Sequence, residues 1–108
     1  MLYVDFMAGN ETYNLRLNTR NIVALEKVLG GNPLSIFGTG DTVPSITAMA
    51  AILHASLQQY HHGMSMNDAY DILDAYFNDG NSMTDFIKVI IEIYRESGIV
   101  PKEEEGKN

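Results

Sequence analysis

The fold class is decided by residues 2–17, which read LYVDFMAGNETYNLRL. Apolar residues alternate with other residues on both sides of Gly9-Asn10, which is the period of a half-buried strand. Gly9-Asn10 tolerates positive φ at low cost, as a tight turn between antiparallel strands requires. The apolar face after the turn consists of Tyr13, Leu15 and Leu17. The stretch predicts a β-hairpin, and because an isolated hairpin is marginally stable, that face must pack on other elements.

Four segments with helical periodicity follow the hairpin. The predicted helices cover about residues 20–29, 44–60, 67–80 and 82–98. Asn67 is the expected N-cap of the third helix, and Ser82 with Asp85 forms a capping-box pattern at the start of the fourth. The fourth helix is apolar around most of its circumference, so we expect it to be the central buried helix. The sequence therefore predicts an α+β fold, with an N-terminal β-hairpin packed on a bundle of about four α-helices.

The chain length of 108 residues fits one domain, which we place at residues 1–100. The stretch between the first and second helices is polar, except for the apolar run PLSIF at residues 33–37, which predicts a short helical turn docked on the core. Residues 101–108, PKEEEGKN, offer no apolar surface to bury. We expect them to form a disordered acidic tail.

Composition excludes several classes of function. The net charge of −7 repels phosphate backbones, and no basic stripe is present, so binding of nucleic acid is not expected. The absence of cysteine removes disulfides, thiolate catalysis and cysteine-based zinc sites. No apolar run approaches the ~20 residues that span a bilayer, and no secretion signal is present. These features predict no membrane association and a cytoplasmic location.

Residues that could carry chemistry do not form a recognised constellation. His61-His62 and the acids of the third helix, Asp68, Asp71 and Asp74, are metal-ligand types, but neighbouring histidines point in different directions on regular backbone. His54 has no nucleophile pattern beside it and is interpreted as a histidine at the edge of the core. We expect no catalytic residue, no metal site and no cofactor, and therefore a protein that is not an enzyme.

The glycine-rich loop GTGDT at residues 38–42 has some likeness to a phosphate-binding loop. It lacks the lysine that contacts the phosphates in such loops, and no clear strand precedes it. A flexible loop is the better interpretation.

Several segments in order resemble the tail assembly chaperones of siphophages and related prophages of Gram-positive bacteria. They are YNLRL at 13–17, LGGNPLSIF at 29–37, LHASLQQYHHG at 53–63 and the stretch from MTDF at 83–86 to Gly98. The similarity extends over about residues 2–102, and the chain is similar to the shorter form of these proteins, made without ribosomal frameshifting.

The resemblance implies a function that composition alone does not. Chaperones of this kind bind and solubilise the tape measure protein, a long apolar helical protein, before the tail tube polymerises around it. They act in the host cell cytoplasm and are absent from the mature virion. The resemblance also implies several copies on the partner or a homo-oligomer, and recruitment of the tail tube protein through a longer frameshifted form.

Two other functions remain open on the sequence alone. One is a structural tail or head completion protein that is retained in the virion, and the other is a small regulatory protein-binding module. For a binding role, apolar side chains outside the regular helices are the expected contact residues. They are Leu34, Ile36 and Phe37 in the apolar turn, and Met64 and Met66 before the third helix. Packing in the core is the alternative for each of them.

Overall fold

The protein is described by a computed structural model that covers residues 2–38 and 43–102. Its elements are β1 (Val4–Ala8), β2 (Glu11–Leu15), α1 (Thr19–Leu29), a 3-10 helix (Pro33–Phe37), α2 (Ile46–Leu57), α3 (Met66–Asn78) and α4 (Met83–Glu96). The predicted α+β fold, a hairpin followed by four helices, is confirmed. Most of the loop at 38–42 and of the acidic tail, from residue 103 onward, lies outside the described residues.

The hairpin has the register and the turn that its sequence predicts. β1 and β2 are antiparallel, with Val4 opposite Leu15 and Ala8 opposite Glu11. Gly9 and Asn10 both have positive φ, at 58° and 75°. Two successive residues of positive φ form the type I′ turn, whose twist matches that of the flanking strands.

Polar bonds join the hairpin to the helices. The backbone N–H of Arg16 donates to the Ser56 carbonyl in α2 (3.0 Å), and the Arg16 guanidinium donates to the Glu96 carbonyl at the end of α4 (2.9 Å). The N–H of Gly9 donates to the Asp79 carboxylate after α3 (2.8 Å). These bonds attach the hairpin to α2, α3 and α4, and a two-stranded hairpin needs such support because it is marginally stable alone.

Helix α2 lies at the centre of the molecule. Its buried residues are Met49, Ala50, Ala51, Ile52, Leu53, Ala55, Ser56 and Leu57. It packs against α1, α3, α4 and β2. An element that is covered on several sides can bury most of its circumference, and the alanines of α2 allow neighbouring backbones to approach closely.

The prediction that the fourth helix is central is wrong. Helix α4 buries one face, which consists of Phe86, Ile90, Ile93 and Tyr94, while Ile87, Val89 and Ile91 are half-buried. The isoleucines and valine of α4 make its sequence apolar around most of the helix. The apolar content of a helix, however, does not determine how many other elements pack against it. That number is set by the arrangement of the other helices.

Capping boxes begin two of the helices. The box at α4 is confirmed, since Ser82 and Asp85 exchange side-chain to backbone hydrogen bonds. The hydrogen bond from the Ser82 backbone N–H, and then that from its hydroxyl, lower the pKa of the Asp85 carboxyl. The pair therefore stabilises the helix start above the ordinary pKa of the carboxyl, and this contribution is lost as the pH falls through the lowered pKa.

The N-cap predicted for the third helix is wrong by two residues. Ser65, and not Asn67, caps α3, because Ser65 and Asp68 form a reciprocal pair in which each side chain accepts from the other's backbone N–H. The reciprocal pair satisfies two helix-terminal groups, whereas an Asn67 cap would satisfy one. The Ser-x-x-Asp spacing was present in the sequence.

The apolar run at 33–37 is the short helical turn that its sequence predicts. The hydroxyl of Tyr94 in α4 donates to the Pro33 carbonyl over 2.9 Å. Burial raises the pKa of the Tyr94 hydroxyl, so the hydroxyl keeps its proton and remains a donor. This bond attaches the connection between α1 and α2 to α4.

We expect Tyr94→Phe to lower the free energy of unfolding by about 1–3 kcal/mol, because it leaves the buried Pro33 carbonyl without its donor. Chemical denaturation followed by circular dichroism measures the change. Tyr70→Phe is the matched control, since the Tyr70 side chain is exposed and its hydroxyl forms no hydrogen bond with a described residue, and it should leave the midpoint unchanged. Equal stability of the Tyr94→Phe variant and the native chain would contradict a structural role for this bond.

Candidate functional site

The five side chains predicted to bind a partner lie in two places. Leu34, Ile36 and Phe37 are on the 3-10 helix, and Met64 and Met66 are at the junction of α2 and α3. Leu34 is 45% exposed, while the other four are half-buried and pack against the core. The set is therefore not one exposed patch.

Phe37 contributes to the packing of the core. Its ring lies edge-on to that of Tyr94, with the ring centroids 6.2 Å apart and the planes at 84°. Aromatic pairs in this geometry are stabilising beyond the area that they bury. The contact gives Phe37 a role in attaching the 3-10 helix, whether or not part of the ring also meets a partner.

A groove runs between α1 and α2. It consists of two adjoining cavities of about 360 and 100 Å³, both of which are lined by Val28 of α1 and Ala51 of α2. The first cavity is also lined by Leu29, Ser35, Ile36, Val43, Ser45, Thr47 and Ala48. The second is also lined by Asn21, Ala24, Leu25, His54, Ala55, Gln58 and Met66. We call the two together the α1–α2 groove.

The α1–α2 groove brings together two of the predicted residues. Ile36 lies at one end and Met66 at the other. Leu34, Phe37 and Met64 are not among the residues that line it. Ile36 and Met66 are far apart in sequence, so only the packing of α1 on α2 places them on one surface.

The lining of the α1–α2 groove contains no formally charged side chain. Among the described residues that line it, none is Asp, Glu, Lys or Arg. Along α2 the lining runs from Ser45 to Gln58, a distance of about 20 Å at 1.5 Å per residue. A surface of this length and polarity matches the apolar face of a helix of about four turns.

Two apolar residues of α1 lie on its exposed side. Val23 and Val28 recur at helical spacing with Ile22, Leu25 and Leu29, but both are exposed, Val28 by 63%. Val28 forms the middle of the α1–α2 groove. The apolar residues of α1 cover a wider arc of the helix than one buried stripe requires. This width is the feature of the sequence that indicates an exposed apolar surface on α1.

The same distinction applies to α3. Tyr70 follows the helical period of the apolar residues of α3, but it is exposed, because Ala69, Ile72, Leu73 and Tyr76 form the buried stripe of the helix. Tyr70 lies at the edge of that stripe, where its ring can pack and its hydroxyl can reach water.

The histidines and acids have structural surroundings. The Nε2 atom of His61 accepts the backbone N–H of Asn14 over 2.9 Å, and the His61 ring packs on Tyr13. Asp68 is held in the capping box of α3. Within residues 2–38 and 43–102, no group of three or more His, Asp or Glu side chains is placed to share a metal ion. His54 lies half-buried at the edge of the core, where we placed it from sequence.

The fold and the groove define a small α+β protein with an apolar cleft between two helices. The chain belongs to a family of unknown function, DUF6096, and the match covers residues 5–107. Neither a curated protein nor a solved structure matches the chain. No helix among the described residues is both long enough and apolar enough to cross a bilayer.

Phe37→Asp should lower the free energy of unfolding by about 2–4 kcal/mol, because it places an unpaired charge against the Tyr94 ring. The matched control is Leu34→Asp, on the same 3-10 helix but 45% exposed, and it should cost less than about 0.5 kcal/mol. Thermal and chemical denaturation of the two variants measure the difference. If Phe37→Asp is as stable as Leu34→Asp, the Phe37 ring does not hold the 3-10 helix.

Proposed function

We propose that this protein is a bacteriophage tail assembly chaperone that binds the tape measure protein through the α1–α2 groove and keeps it soluble during tail morphogenesis. The observation that carries the proposal is the groove itself, apolar and without formal charge over about four helical turns. The order of segments that resembles the tail assembly chaperones supplies the identity of the partner.

The groove has the features of a helix-binding cleft. Helix-in-groove recognition places the apolar face of an amphipathic helix against a hydrophobic cleft, with anchors at every third or fourth residue. The small side chains of Ala51 and Ala55 form one wall of the groove, and they leave room for larger anchors on the partner. Met66 adds a flexible thioether, which adapts to anchors of different shapes.

The distribution of charge supports a solubilising role. The chain has a net charge of −7, yet the α1–α2 groove contains none of its acids. When copies of this chain cover an apolar helix, the surface of the complex is acidic instead of apolar. Repulsion between the like charges then keeps the complexes apart in solution. Binding and solubility are therefore supplied by different surfaces.

The remaining parts of the proposal follow from the role of a chaperone. The protein binds without a chemical step or a cofactor, acts in the host cell cytoplasm and is absent from the mature virion. Several copies act on one tape measure protein, and the tail tube protein is recruited through a longer frameshifted form.

Coexpression with the tape measure protein tests the role directly. We expect the tape measure protein to be largely insoluble when it is expressed alone and soluble when this chain is coexpressed, because its apolar faces are then covered. The soluble fraction after centrifugation is the measurement. Equal solubility with and without this chain would reject the chaperone function, and recovery of the chain at fixed stoichiometry from mature virions would favour a structural completion protein instead.

Val28→Glu tests the groove. It places a charge in the middle of a surface without any, so we expect capture of a tape measure fragment to weaken at least about tenfold, equivalent to about 1.4 kcal/mol. Val28 is 63% exposed, so the fold should be kept. Met7→Glu is the matched control, because Met7 is 66% exposed on β1, outside the groove, and this change should leave binding as in the native chain. Unchanged binding by the Val28→Glu variant would place the contact surface elsewhere.

A further inference from the structure

A second groove lies between α2 and α3. It is a cavity of about 260 Å³ with Ala50 and Leu73 at its base. Its sides are formed by Ile46, Tyr70 and Phe77, with Thr47 and Asp74 also in the lining. Ile46 and Tyr70 are exposed by about half of their surface, 46% and 51%. This α2–α3 groove therefore presents apolar side chains that no described residue covers completely.

The rim of the α2–α3 groove is acidic. Helix α3 contains Asp68, Asp71 and Asp74 and no Lys or Arg, which gives a charge of −3. Asp68 is held by the capping box, but Asp71 and Asp74 are exposed and form no hydrogen bond or ion pair with any described residue. Asp74 is in the lining of the groove, and Asp71 lies three residues before it on the same helix. These carboxylates favour an occupant that has cations next to an apolar anchor.

Such a surface exists on the same chain. Arg20, Val23 and Lys27 are spaced by three and four residues on α1, so they lie on one face of that helix. All three are exposed, and neither cation forms an ion pair with a described residue. With Glu26 as its one acid, α1 has two cations and one anion, a charge of +1 in a chain whose total is −7. We call this surface the α1 outer face.

We propose that the α1 outer face of one copy docks in the α2–α3 groove of a second copy of this chain. Val23 is the apolar anchor, placed between Tyr70 and Phe77. The guanidinium of Arg20 and the ammonium of Lys27 then lie towards the carboxylates of Asp71 and Asp74. The opposite signs of the two surfaces fix the orientation of the contact and exclude pairing of like surfaces.

The position of the two surfaces makes the contact head-to-tail. Helix α2 packs against both α1 and α3, so the α1 outer face and the α2–α3 groove belong to different sides of the molecule. One copy therefore uses its groove for one neighbour and its α1 outer face for another. A contact of this type generates a closed ring or an open filament, according to the rotation between copies.

Self-association of this kind goes beyond the proposed function and does not depend on it. Thr47 lines both grooves, and the other residues of the contact lie outside the lining of the α1–α2 groove. It can therefore be tested with the protein alone, and its failure would leave binding of the tape measure protein open.

Charge reversal tests the contact. Sedimentation velocity of the native chain, from about 1 µM to about 1 mM, should show growth beyond a dimer, weaker at high salt because exposed charges are then screened. Lys27→Glu and Asp74→Lys should each weaken self-association at least about tenfold, since each sets like charges opposite one another. An equimolar mixture of the two variants should associate within about threefold of the native chain. Each contact between the two different variants is either native or has its two charges exchanged, so alternation of the variants restores complementary contacts.

Matched changes outside the contact provide the controls. Lys88→Glu on α4 and Glu11→Lys at the hairpin tip make the same charge changes at exposed positions, and both should associate as the native chain does. Arg20→Glu with Asp71→Lys is a second pair if one variant of the first is unstable. A native chain that stays monomeric to about 1 mM overturns the proposal. Single variants that associate as the native chain does would also overturn the proposal. A mixture of the two variants that fails to restore association would overturn it as well.

Discussion

The burial of α2 among α1, α3, α4 and β2 organises this protein, because the outer elements have only one apolar side each and need α2 to cover it. The alanines of α2 are central to this arrangement. Ala50, Ala51 and Ala55 are small enough for α1 and α3 to pack closely on either flank. They also leave the flanks of α2 partly unfilled, so the packing that makes the core creates a groove on each side of it.

The two grooves differ in chemistry although they share a helix. The α1–α2 groove has no formally charged lining residue, whereas the α2–α3 groove has Asp74 in its lining and Asp71 on the same helix. Charge near an apolar cleft selects partners more than it adds affinity. One cleft suits an uncharged apolar helix, and the other suits a cationic surface of the kind that α1 presents. The two grooves therefore favour occupants of different chemistry.

The hairpin completes the core and is held by bonds that come from distant parts of the chain. Arg16 reaches α2 and α4, and Gly9 reaches the end of α3. A guanidinium next to the carbonyls at the end of a helix also interacts favourably with the helix dipole. These bonds keep the hairpin and the ends of three helices at fixed distances, while α1 and the 3-10 helix contribute to the α1–α2 groove.

The sequence by itself determined the local structure. Gly9-Asn10 determined the hairpin turn, Ser82 with Asp85 determined the start of α4, and the run 33–37 determined a short helical turn, because each depends on neighbours within a few residues. The exposed side of each helix and the identity of the central helix depended on tertiary structure. Val28 and Tyr70 follow the helical period as buried residues do, and only the placement of α2 beside α1 and α3 leaves them at the edge of a groove. Periodicity gives the angle between side chains on one helix, whereas a groove is formed by the distance between two helices.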